Sequence, residues 1–545
     1  MATETDPQTG PGDATGETRT PFGEVSRLSG IVFEYLTLAA SMFGILSLGI
    51  LLSYVFWDAF GLETADPVWY AVLVGTVGLP LVGQALYARR NPVAGEVALE
   101  LGSTLLGGVL AGLALVVVLE VIAGSEVWFA YFLTTVLPLG SLYVYGQRNE
   151  ATWVGLAALG VLIVGPAIGT AALDPLTTVA GLFGGPGIYL LSMVLPAALL
   201  CRYLVGEFLE LGNGDYAAGA TLALAVVGIP VVDTVGVARS VWLLFLVALV
   251  MPFGIVVAKT LAVPERRVGF VAPAVIIVGI GLLAVLPETV GVAGPSPWFD
   301  WQYVTSNPSR FADQAGLYPA IIGSVFMIVA VAILTLIVGV GTAVYLEEYA
   351  PSSGIAASVV RLIRINISNL AGVPSVVYGL LGLAVFANTL RLGFGTVVTA
   401  AFTLSLLILP IVIISSREAI RSVPDSLRDA SYGMGATRWQ TVRNVVMPRA
   451  IPGILTGTIL ALGRAIGETA PLIMIGVATS IYSTPSGLFD KISAMPMQIF
   501  VWASFPGEEF QYGVLAAGVV TLLVVLLTMN SIAILLRNKF ERSEI

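Results

Sequence analysis

The sequence predicts an all-α polytopic membrane protein, and three observations carry that prediction. Of the 545 residues, 57% are hydrophobic and 11% are charged, whereas soluble domains contain about 25% charged residues. Fourteen apolar stretches are each long enough to cross a bilayer core of about 30 Å. The chain contains no histidine and a single cysteine, Cys201. We therefore expect no metal site, no histidine-based acid–base catalysis and no internal disulfide framework.

The predicted spans follow a disordered cytoplasmic tail, residues 1–28, which is rich in Thr, Gly, Pro, Asp and Glu and has no hydrophobic periodicity. A polar loop, 296–316, separates the first nine spans from the last five. The predicted spans are 33–57, 68–87, 101–123, 127–146, 153–173, 188–204, 216–233, 241–261, 269–290, 319–346, 367–388, 396–416, 451–477 and 512–536.

The distribution of cationic residues predicts the orientation of these spans. When the N-terminus is placed inside and the spans alternate, 20 of the 25 lysines and arginines fall in inside loops or tails. Only Arg239, Arg310, Arg391 and Lys491 fall outside, and Arg464 remains within a span. Because cytoplasmic loops of membrane proteins are enriched in Lys and Arg, we expect a multi-pass protein of the cell membrane with both termini in the cytoplasm.

Lysine usage bears on nucleotide chemistry. Three lysines accompany 22 arginines, and no lysine follows a glycine. Because phosphate-cradling P-loops require a Gly-Lys pair, we expect this chain to bind no nucleotide cofactor, so that any ATP would be used by a separate subunit. The net charge of −9 and the scarcity of lysine favour adaptation to high salt. A GC-rich genome that favours arginine codons is the alternative.

The longest polar interruption of the apolar chain runs from 417 to 448, between two predicted spans, and the orientation above places it in the cytoplasm. A short amphipathic segment at this position suits a groove on a soluble partner. The alternative is a basic loop held by anionic lipid headgroups. Counting the residue that follows it, the stretch carries six arginines: Arg417, Arg421, Arg428, Arg438, Arg443 and Arg449.

The same stretch predicts a helix–turn–helix. Pro424 suits the first turn of a helix, and Asp429 lies early enough in it to complement the helix dipole. Gly435 allows a tight reversal of the chain. Thr437 and Gln440 have the spacing of a capping box that begins the second helix.

The second helix has an expected face and an expected end. The spacing of Trp439, Val442 and Val446 predicts that their side chains share one face. Pro448 is expected to stop the helix because proline lacks the amide hydrogen that would continue it.

The spacing within this stretch also carries a resemblance. The segment 429–448 reads DAS-x3-G-x9-V-x-MP and resembles the EAA loop of ABC importer permeases, EAA-x3-G-x9-I-x-LP, with substitutions that keep charge, small size or apolarity. In that family the loop docks onto the ATPase. The resemblance therefore implies a set of ATPase-coupling residues: Asp429, Ala430, Gly435, Trp439, Val445 and Pro448.

Longer segments are similar to the PstA-type permeases of phosphate importers. They are 316–351, 369–386 and 459–476, the last containing the string GETAP at 467–471. The similarity covers about 30–60 and 297–540, and it implies a six-helix ABC importer permease core (MetI-like) split by about eight additional transmembrane helices. The implied regions are a first core helix at 29–60, an inserted multi-span region at 61–295, an extracytoplasmic loop at 296–318, and a permease core at 319–545 with its EAA loop at 417–448.

The resemblance also implies a function and its partners. It implies the membrane-spanning permease subunit of an ATP-driven inorganic phosphate importer, which is not itself an enzyme. The implied partners are a PstC-type permease that completes a heterodimer, a PstB-type ATPase dimer inside the cell, and a PstS-type phosphate-binding protein outside it. No nucleic-acid partner is expected.

Arg464 and Glu468 lie one helical turn apart in a predicted span, so their side chains share a face. Charges at that depth are costly and mark ion paths, and the planar fork of arginine suits phosphate. We expect Arg464 to meet the transiting anion, Glu468 to balance it when the path is empty, and Thr469 to offer a hydroxyl. A structural ion pair between helices is the alternative.

Further polar residues have weaker assignments. Asn369, Ser375 and Tyr378 lie in a stretch that Gly372-Val373-Pro374 is expected to kink, and helix packing explains them as well as a substrate path does. The ionisable residues of the inserted region sit near predicted span ends and indicate solvated edges: Glu100, Glu120, Glu207 and Asp233.

Other functions stay open from the residues alone. The substrate could be another oxyanion, namely sulfate, molybdate or tungstate. A secondary transporter or channel without an ATPase is a second alternative, against which the EAA spacing argues. The inserted region could be a sensory or scaffold module.

Overall fold

The computed structural model describes residues 27–122, 124–149, 153–209, 211–235, 237–351, 353–477, 481–485 and 487–542. Within these ranges the regular structure is helical, apart from one isolated antiparallel bridge between Thr396 and Lys491. The chain divides into two units, residues 1–56 and 57–545. Residues 1–26 of the predicted tail lie outside the described residues.

The first helix, α1 (Arg27–Ala59), contains 33 residues, about 50 Å at ~1.5 Å per residue. It accounts for the described part of the first unit and ends just inside the second. The predicted first core span is thus one uninterrupted helix, longer than the apolar thickness of a bilayer requires.

The inserted region consists of helices joined by short connections, with 3₁₀ helices at Leu62–Thr64 and Pro264–Phe270. Its long helices are α2 (Pro67–Arg90), α3 (Pro92–Glu120), α4 (Ser125–Gly146), α5 (Val154–Ala171), α6 (Leu173–Gly181), α7 (Gly184–Glu207), α8 (Gly214–Val235), α9 (Arg239–Ala262) and α10 (Val271–Val290).

The remaining helices make up the predicted permease core. They are α11 (Trp301–Thr305), α12 (Tyr318–Tyr349), α13 (Gly354–Leu370), α14 (Ser375–Thr389), α15 (Val397–Arg421), α16 (Asp425–Gly433), α17 (Arg438–Ile466), α18 (Ala470–Met474), α19 (Met495–Trp502) and α20 (Leu515–Arg542). The predicted loop 296–318 is ordered, because it contains α11 and packs the buried Tyr303 against the core.

Among the described residues, twelve helices are long and apolar enough to cross a membrane, and two bent helix pairs raise the number to 14 if each pair is one span. This agrees with the fourteen predicted spans, and the kink predicted at Gly372-Val373-Pro374 within the span 367–388 is confirmed. Helices α13 and α14 meet at 109°, because Pro374 cannot continue a helix and disfavours helical geometry at the residue before it. Helices α5 and α6 form the other bent pair, at 76°.

Five proline residues within long helices of the described chain are each preceded by a wide, π-helical turn. Each turn ends two residues before its proline. A proline inside a helix lacks an amide hydrogen and clashes with the carbonyl four residues earlier, and a wider turn moves that carbonyl aside. The turns are Val74–Gly78, Phe132–Val136, Leu190–Val194, Leu246–Val250 and Val442–Val446, which precede Pro80, Pro138, Pro196, Pro252 and Pro448.

Helix α3 is the centre of the inserted region, and small residues let it approach α9. A Cβ atom on Gly108 would lie 2.9 Å from the Cα atom of Leu249, and one on Gly112 would lie 2.6 Å from the ring of Phe245. Larger side chains at these two positions would push the helices apart. Glycine at both positions therefore allows the close packing of α3 and α9.

The two ends of the inserted region meet. The carbonyl oxygen of Ala59 accepts hydrogen bonds from the backbone N–H groups of Trp298 and Phe299, both at 3.0 Å. A little further in, the Thr64 hydroxyl accepts a hydrogen bond from the N–H of Ser296 at 2.8 Å. The chain thus leaves and rejoins the permease core at one point.

The main hydrophobic core runs through α12, α15, α17 and α20, with Leu404 and Ile466 among its fully buried residues. A smaller cluster lies at the end where α15 leads into α16. It joins Ala343 of α12 to Ile420 and Val446. This second cluster anchors the predicted coupling stretch to two membrane helices.

Candidate functional site

The predicted helix–turn–helix at 417–448 is confirmed. Helix α16 begins after Pro424, and Gly435 has φ +83°, a left-handed conformation that glycine adopts without strain. The Thr437 hydroxyl accepts from the N–H of Gln440 at 3.4 Å, and the Gln440 side chain accepts from the N–H of Thr437 at 2.8 Å. These reciprocal bonds are the predicted capping box, and they begin α17.

The two helices of this loop are joined directly. The hydroxyl groups of Ser431 and Thr441 lie 2.9 Å apart and share a hydrogen bond. Ser431 occupies the third position of the DAS triplet, whereas Asp429 and Ala430 beside it are exposed. The triplet therefore has one residue that holds the loop together and two that face outward.

The loop presents large apolar side chains to its surroundings. Met434 is 90% exposed and Trp439 is 61% exposed, and Tyr432, two residues before Met434, is also exposed. Neighbouring exposed side chains of this size are typical of partner-binding surfaces.

Two expectations for the second helix are wrong. Val442 and Val446 are buried but Trp439 is exposed, because Trp439 lies in the first turn, before the helix meets the core. Pro448 does not end the helix, since α17 runs on to Ile466. The wide turn at Val442–Val446 accommodates the proline, and Val445 is half-buried within it.

Three of the six arginines point inward, to an acidic pair that sequence analysis missed. Glu347 and Glu348 lie in the last turn of α12, where Glu348 is buried and Glu347 is partly buried. Glu347 accepts from the Nε atoms of Arg417 at 2.6 Å and Arg421 at 2.8 Å. Glu347 and Glu348 lie within the PstA-like segment 316–351, but no local feature of the sequence indicates their partners, which are about 70 residues away.

Arg428 uses most of its donors inside the protein. Its Nη2 atom donates to Glu348 Oε1 at 3.0 Å and to the carbonyl of Ile420 at 2.9 Å. Its Nη1 atom donates to the carbonyl of Val423 and to Asp425 at 3.1 Å. Arg428 therefore ties α16 to the ends of both α12 and α15. We call Glu347, Glu348, Arg417, Arg421 and Arg428 the ionic hub.

The other three arginines remain at the surface. Arg438 lies over the ring of Tyr349, 5.4 Å from its centroid. Arg443 and Arg449 are exposed. Because half of the arginines are bound inward, the stretch is less a cationic surface than its composition indicates, which weakens the lipid-headgroup alternative.

Arg464 and Glu468 are in contact, with 3.3 Å between the arginine Nε and the carboxylate Oε1 atoms. The Arg464 side chain is 51% exposed and that of Glu468 is 17% exposed. Helix α17 ends at Ile466, so the pair closes across the helix end instead of along an uninterrupted helix. Thr469 is the residue before α18, and its hydroxyl makes no capping bond there.

The weaker candidates separate in the structure. The Tyr378 hydroxyl donates to the carbonyl of Leu370 at 2.8 Å, across the bend between α13 and α14. Ser375 begins α14, and Asn369 is exposed near the end of α13. Tyr378 thus has a structural partner, which favours the packing explanation for it.

Most carboxylates singled out in the inserted region are paired within it. Glu120 accepts from Tyr189 and Ser240, both at 2.7 Å. Two other carboxylates of this group form ion pairs: Glu100 with Arg266 and Lys259, and Asp233 with Arg239. These contacts hold helices together and add no reactive constellation among the described residues.

Comparison with known proteins locates this arrangement in a family. Residues 353–541 match the family described as binding-protein-dependent transport system inner membrane component. The phosphate transport system permease protein PstA 1 of Mycobacterium tuberculosis (strain CDC 1551 / Oshkosh) is 34% identical over 232 residues, which are 42% of this chain and 72% of that protein. PstA of Xylella fastidiosa (strain Temecula1 / ATCC 700964) is 32% identical over 252 residues, 45% of this chain and 84% of that protein.

Two further similarities are more limited. The probable ABC transporter permease protein YqgI of Bacillus subtilis (strain 168) is 37% identical over 180 residues, 33% of this chain, and the chain spans only 60% of YqgI. A chain of the MetNI methionine ABC transporter in an inward-facing conformation aligns with a TM-score of 0.34 at 19% identity, covering 41% of this chain and 97% of that one. On the match to the permease family and the extent of the PstA similarities, this chain belongs to the PstA-type family of binding-protein-dependent transport permeases.

Proposed function

We propose that this chain is the membrane-spanning permease subunit of an ATP-driven inorganic phosphate importer. The observation that carries the coupling half of the proposal is the capped helix–turn–helix, which presents Met434 and Trp439 beside Gly435. A short, rigid loop with an apolar tip fits a groove on a soluble partner. The partner we propose is a PstB-type ATPase dimer, which would bind and hydrolyse the ATP.

Helix α17 supports a direct mechanical link from that loop to the substrate path. It runs without a break for 29 residues from Arg438 to Ile466, about 43 Å at ~1.5 Å per residue. One end is the coupling loop, and the other end carries Arg464. When the ATPase pair closes, the loop and its attached helices move as a rigid body, which alternates access to the path.

Arg464 supports the choice of an anionic substrate. Its side chain is half exposed, and its single described carboxylate partner, Glu468, is in contact through one nitrogen. The remaining guanidinium donors can bind two oxygens of one phosphate. In the mechanism we propose, phosphate displaces Glu468 from Arg464 as it passes, and Thr469 donates one hydroxyl hydrogen bond.

The other proposed partners follow from the family. A PstC-type permease would complete the path as the second half of a heterodimer, and a PstS-type protein would deliver phosphate on the outside. The termini and the loop at 417–448 would lie in the cytoplasm, because that orientation places most cationic residues inside.

The deciding experiment is uptake of labelled phosphate into membrane vesicles that contain this chain with the partner subunits. We expect ATP-dependent uptake that excess sulfate or molybdate does not suppress. Suppression by either anion would identify another oxyanion as the substrate. Uptake that persists when the ATPase is omitted would instead identify a secondary transporter.

A further inference from the structure

A cavity of about 470 Å³ lies away from the coupling loop and from Arg464. Its walls come from the loop before α12, from α19 and from the turn that follows α19. The lining includes Ser309, Arg310, Tyr482, Gln498, Trp502 and Phe510. This volume is within the range of small-ligand sites.

The cavity lies at the membrane face opposite the coupling loop. Helix α12 is a single helix of 32 residues, about 48 Å at ~1.5 Å per residue. Its far end, at Glu348, is bonded to the coupling loop through Arg428. Arg310 comes just before the near end of α12, so the cavity faces the side from which an importer takes its substrate.

Two groups in the cavity are available to a ligand. Arg310 is the charged residue of the lining, and it has no ion pair or hydrogen bond among the residues the structure describes. Gln498 is only 2% exposed, yet its side-chain Oε1 atom has no hydrogen-bond partner in the described chain. A buried amide without a partner costs about 1–3 kcal/mol, a cost that a bound ligand would remove.

The chemistry of the lining selects an anion. Arginine offers five donors in a fork that matches an oxyanion. The unpartnered Gln498 oxygen is an acceptor, so the hydroxyl of a hydrogen phosphate ion can donate to it, and the Tyr482 and Ser309 hydroxyls can donate to the other phosphate oxygens. No carboxylate side chain belongs to the lining itself; Glu508 and Glu509 lie in the turn between its residues Pro506 and Phe510.

We propose that this cavity is an outer binding site for a tetrahedral oxyanion, inorganic phosphate, before the anion reaches Arg464. The inference rests on the proposed function and adds a second phosphate-binding site, on the outer side, to the substrate path. Arg310 supplies the charge, and Gln498 supplies a directional hydrogen bond inside a wall formed by Trp502 and Phe510.

The test is equilibrium binding of radiolabelled inorganic phosphate to the complete transporter in lipid nanodiscs, without the binding protein and without ATP. We expect Arg310→Gln to weaken binding about tenfold or more, the change typical of losing a hydrogen bond to a charged group. Arg391→Gln is the matched control, because Arg391 is an exposed arginine, predicted on the same side, that does not line the cavity. We expect it to bind phosphate normally.

Gln498→Leu separates a ligand-binding role from a structural one. Leucine keeps the size and removes the unpartnered amide, so we expect the melting temperature of the ligand-free complex to rise while phosphate binding weakens. A lower melting temperature together with unchanged phosphate binding would assign Gln498 to structure and overturn its part of the proposal.

The remaining outcomes are also decisive. Unchanged phosphate binding by Arg310→Gln would overturn the proposal. If that variant instead loses affinity only for the loaded binding protein, the cavity is a docking pocket for that protein and the proposal is wrong. Wild-type vesicles that take up sulfate instead of phosphate would refute the proposed function, and labelled sulfate binding to the same variants would then decide the cavity separately.

Discussion

The geometry around Arg464 bears on the two explanations of its charge, which are contact with the transported anion and a structural ion pair. Its contact with Glu468 is a single bond at 3.3 Å, and half of the arginine side chain is accessible. A pair that locked two helices would be enclosed and would use both nitrogens of the fork. The open, singly bonded geometry is that of an arginine with donors to spare, which favours the substrate path.

Replacing Arg464 should separate these explanations. We expect Arg464→Gln to abolish phosphate uptake, because it removes both the charge and the fork, while the complex still assembles and binds ATP. Arg464→Lys, which keeps the charge without the fork, should retain part of the uptake. The measurement is labelled phosphate uptake beside co-purification of the ATPase. Loss of assembly in Arg464→Gln would support the structural ion pair.

Gly435 allows a test of the docking surface with little effect on the fold. No atom lies within 4 Å of a Cβ built on it, and its only constraint is φ +83°. A branched residue such as Val at that φ costs about 1–2 kcal/mol, whereas Asn tolerates it. We therefore expect both Gly435→Asn and Gly435→Val to fold and insert, and both to lose ATPase co-purification or coupled uptake. Wild-type uptake by Gly435→Asn would show that this face is not docked.

At the scale of elements, the ionic hub attaches the loop at 417–448 to the membrane helices α12 and α15. Glu348 is only 6% exposed on its side chain and is paired with Arg428, which also closes the carbonyl end of α15. The loop therefore cannot shift without moving α12 and α15. This is the property a coupling element requires, since movement at an ATPase would otherwise be absorbed by a flexible loop.

Breaking the hub should be costly to stability. Glu348→Gln leaves Arg428 without its buried charge partner, and we expect a loss of about 3–5 kcal/mol. Glu418→Gln is the matched control, because Glu418 forms an exposed i,i+3 pair with Arg421, and such pairs contribute about 0–1 kcal/mol. Thermal unfolding of the purified chain measures both. Equal melting temperatures for the two variants would contradict the role of the hub.

The wide turn before Pro448 explains why α17 is continuous and can move as one rigid helix. The proline would otherwise break the helix between the coupling loop and Arg464. The same combination occurs in four helices of the inserted region, so it is a general device of this chain. A local rule about proline predicted the wrong end for α17 because the compensating turn is part of a longer packed helix.

At the scale of the whole molecule, the contacts at the ends of region 61–295 are those expected of an insertion that leaves the core connections in place. Its ends meet at Ala59 and Trp298, and it contributes an even number of predicted spans. Within the second unit, Leu113 of the inserted region approaches α12 and α20 around an apolar cavity. Lipid can cover those apolar faces at little cost, because acyl chains are as apolar as the side chains they replace.

Excision of the inserted region should therefore yield a working permease. We expect a chain in which Gly61 is joined directly to Ser296 to insert with the same orientation and to assemble with the ATPase. The two residues to be joined are already adjacent, because a Cβ atom built on Gly61 would lie 2.0 Å from the carbonyl oxygen of Ser296. Protease accessibility of the loop at 417–448 in sealed vesicles reports the orientation, and phosphate uptake reports function. An inverted or aggregated product would contradict the boundaries 61–295.

The sequence by itself determined the helical class, the fourteen hydrophobic segments and the helix–turn–helix with its capping box at Thr437 and turn at Gly435. These features are encoded within a few residues, because hydrophobic periodicity, capping hydrogen bonds and backbone conformation act locally. The DAS segment, together with longer segments such as 459–476, also indicated the family, and the family match over 353–541 confirms it.

Only the tertiary structure decided which charges meet. Glu348 and Arg428 are 80 residues apart in the chain and 3.0 Å apart in space, and Ala59 touches Trp298 across the whole inserted region. The end of α17 at Ile466 and its passage through Pro448 also became apparent only in the structure. Ion pairs and closures of this kind follow from how helices pack, and packing sums many weak contacts that no single stretch of sequence contains.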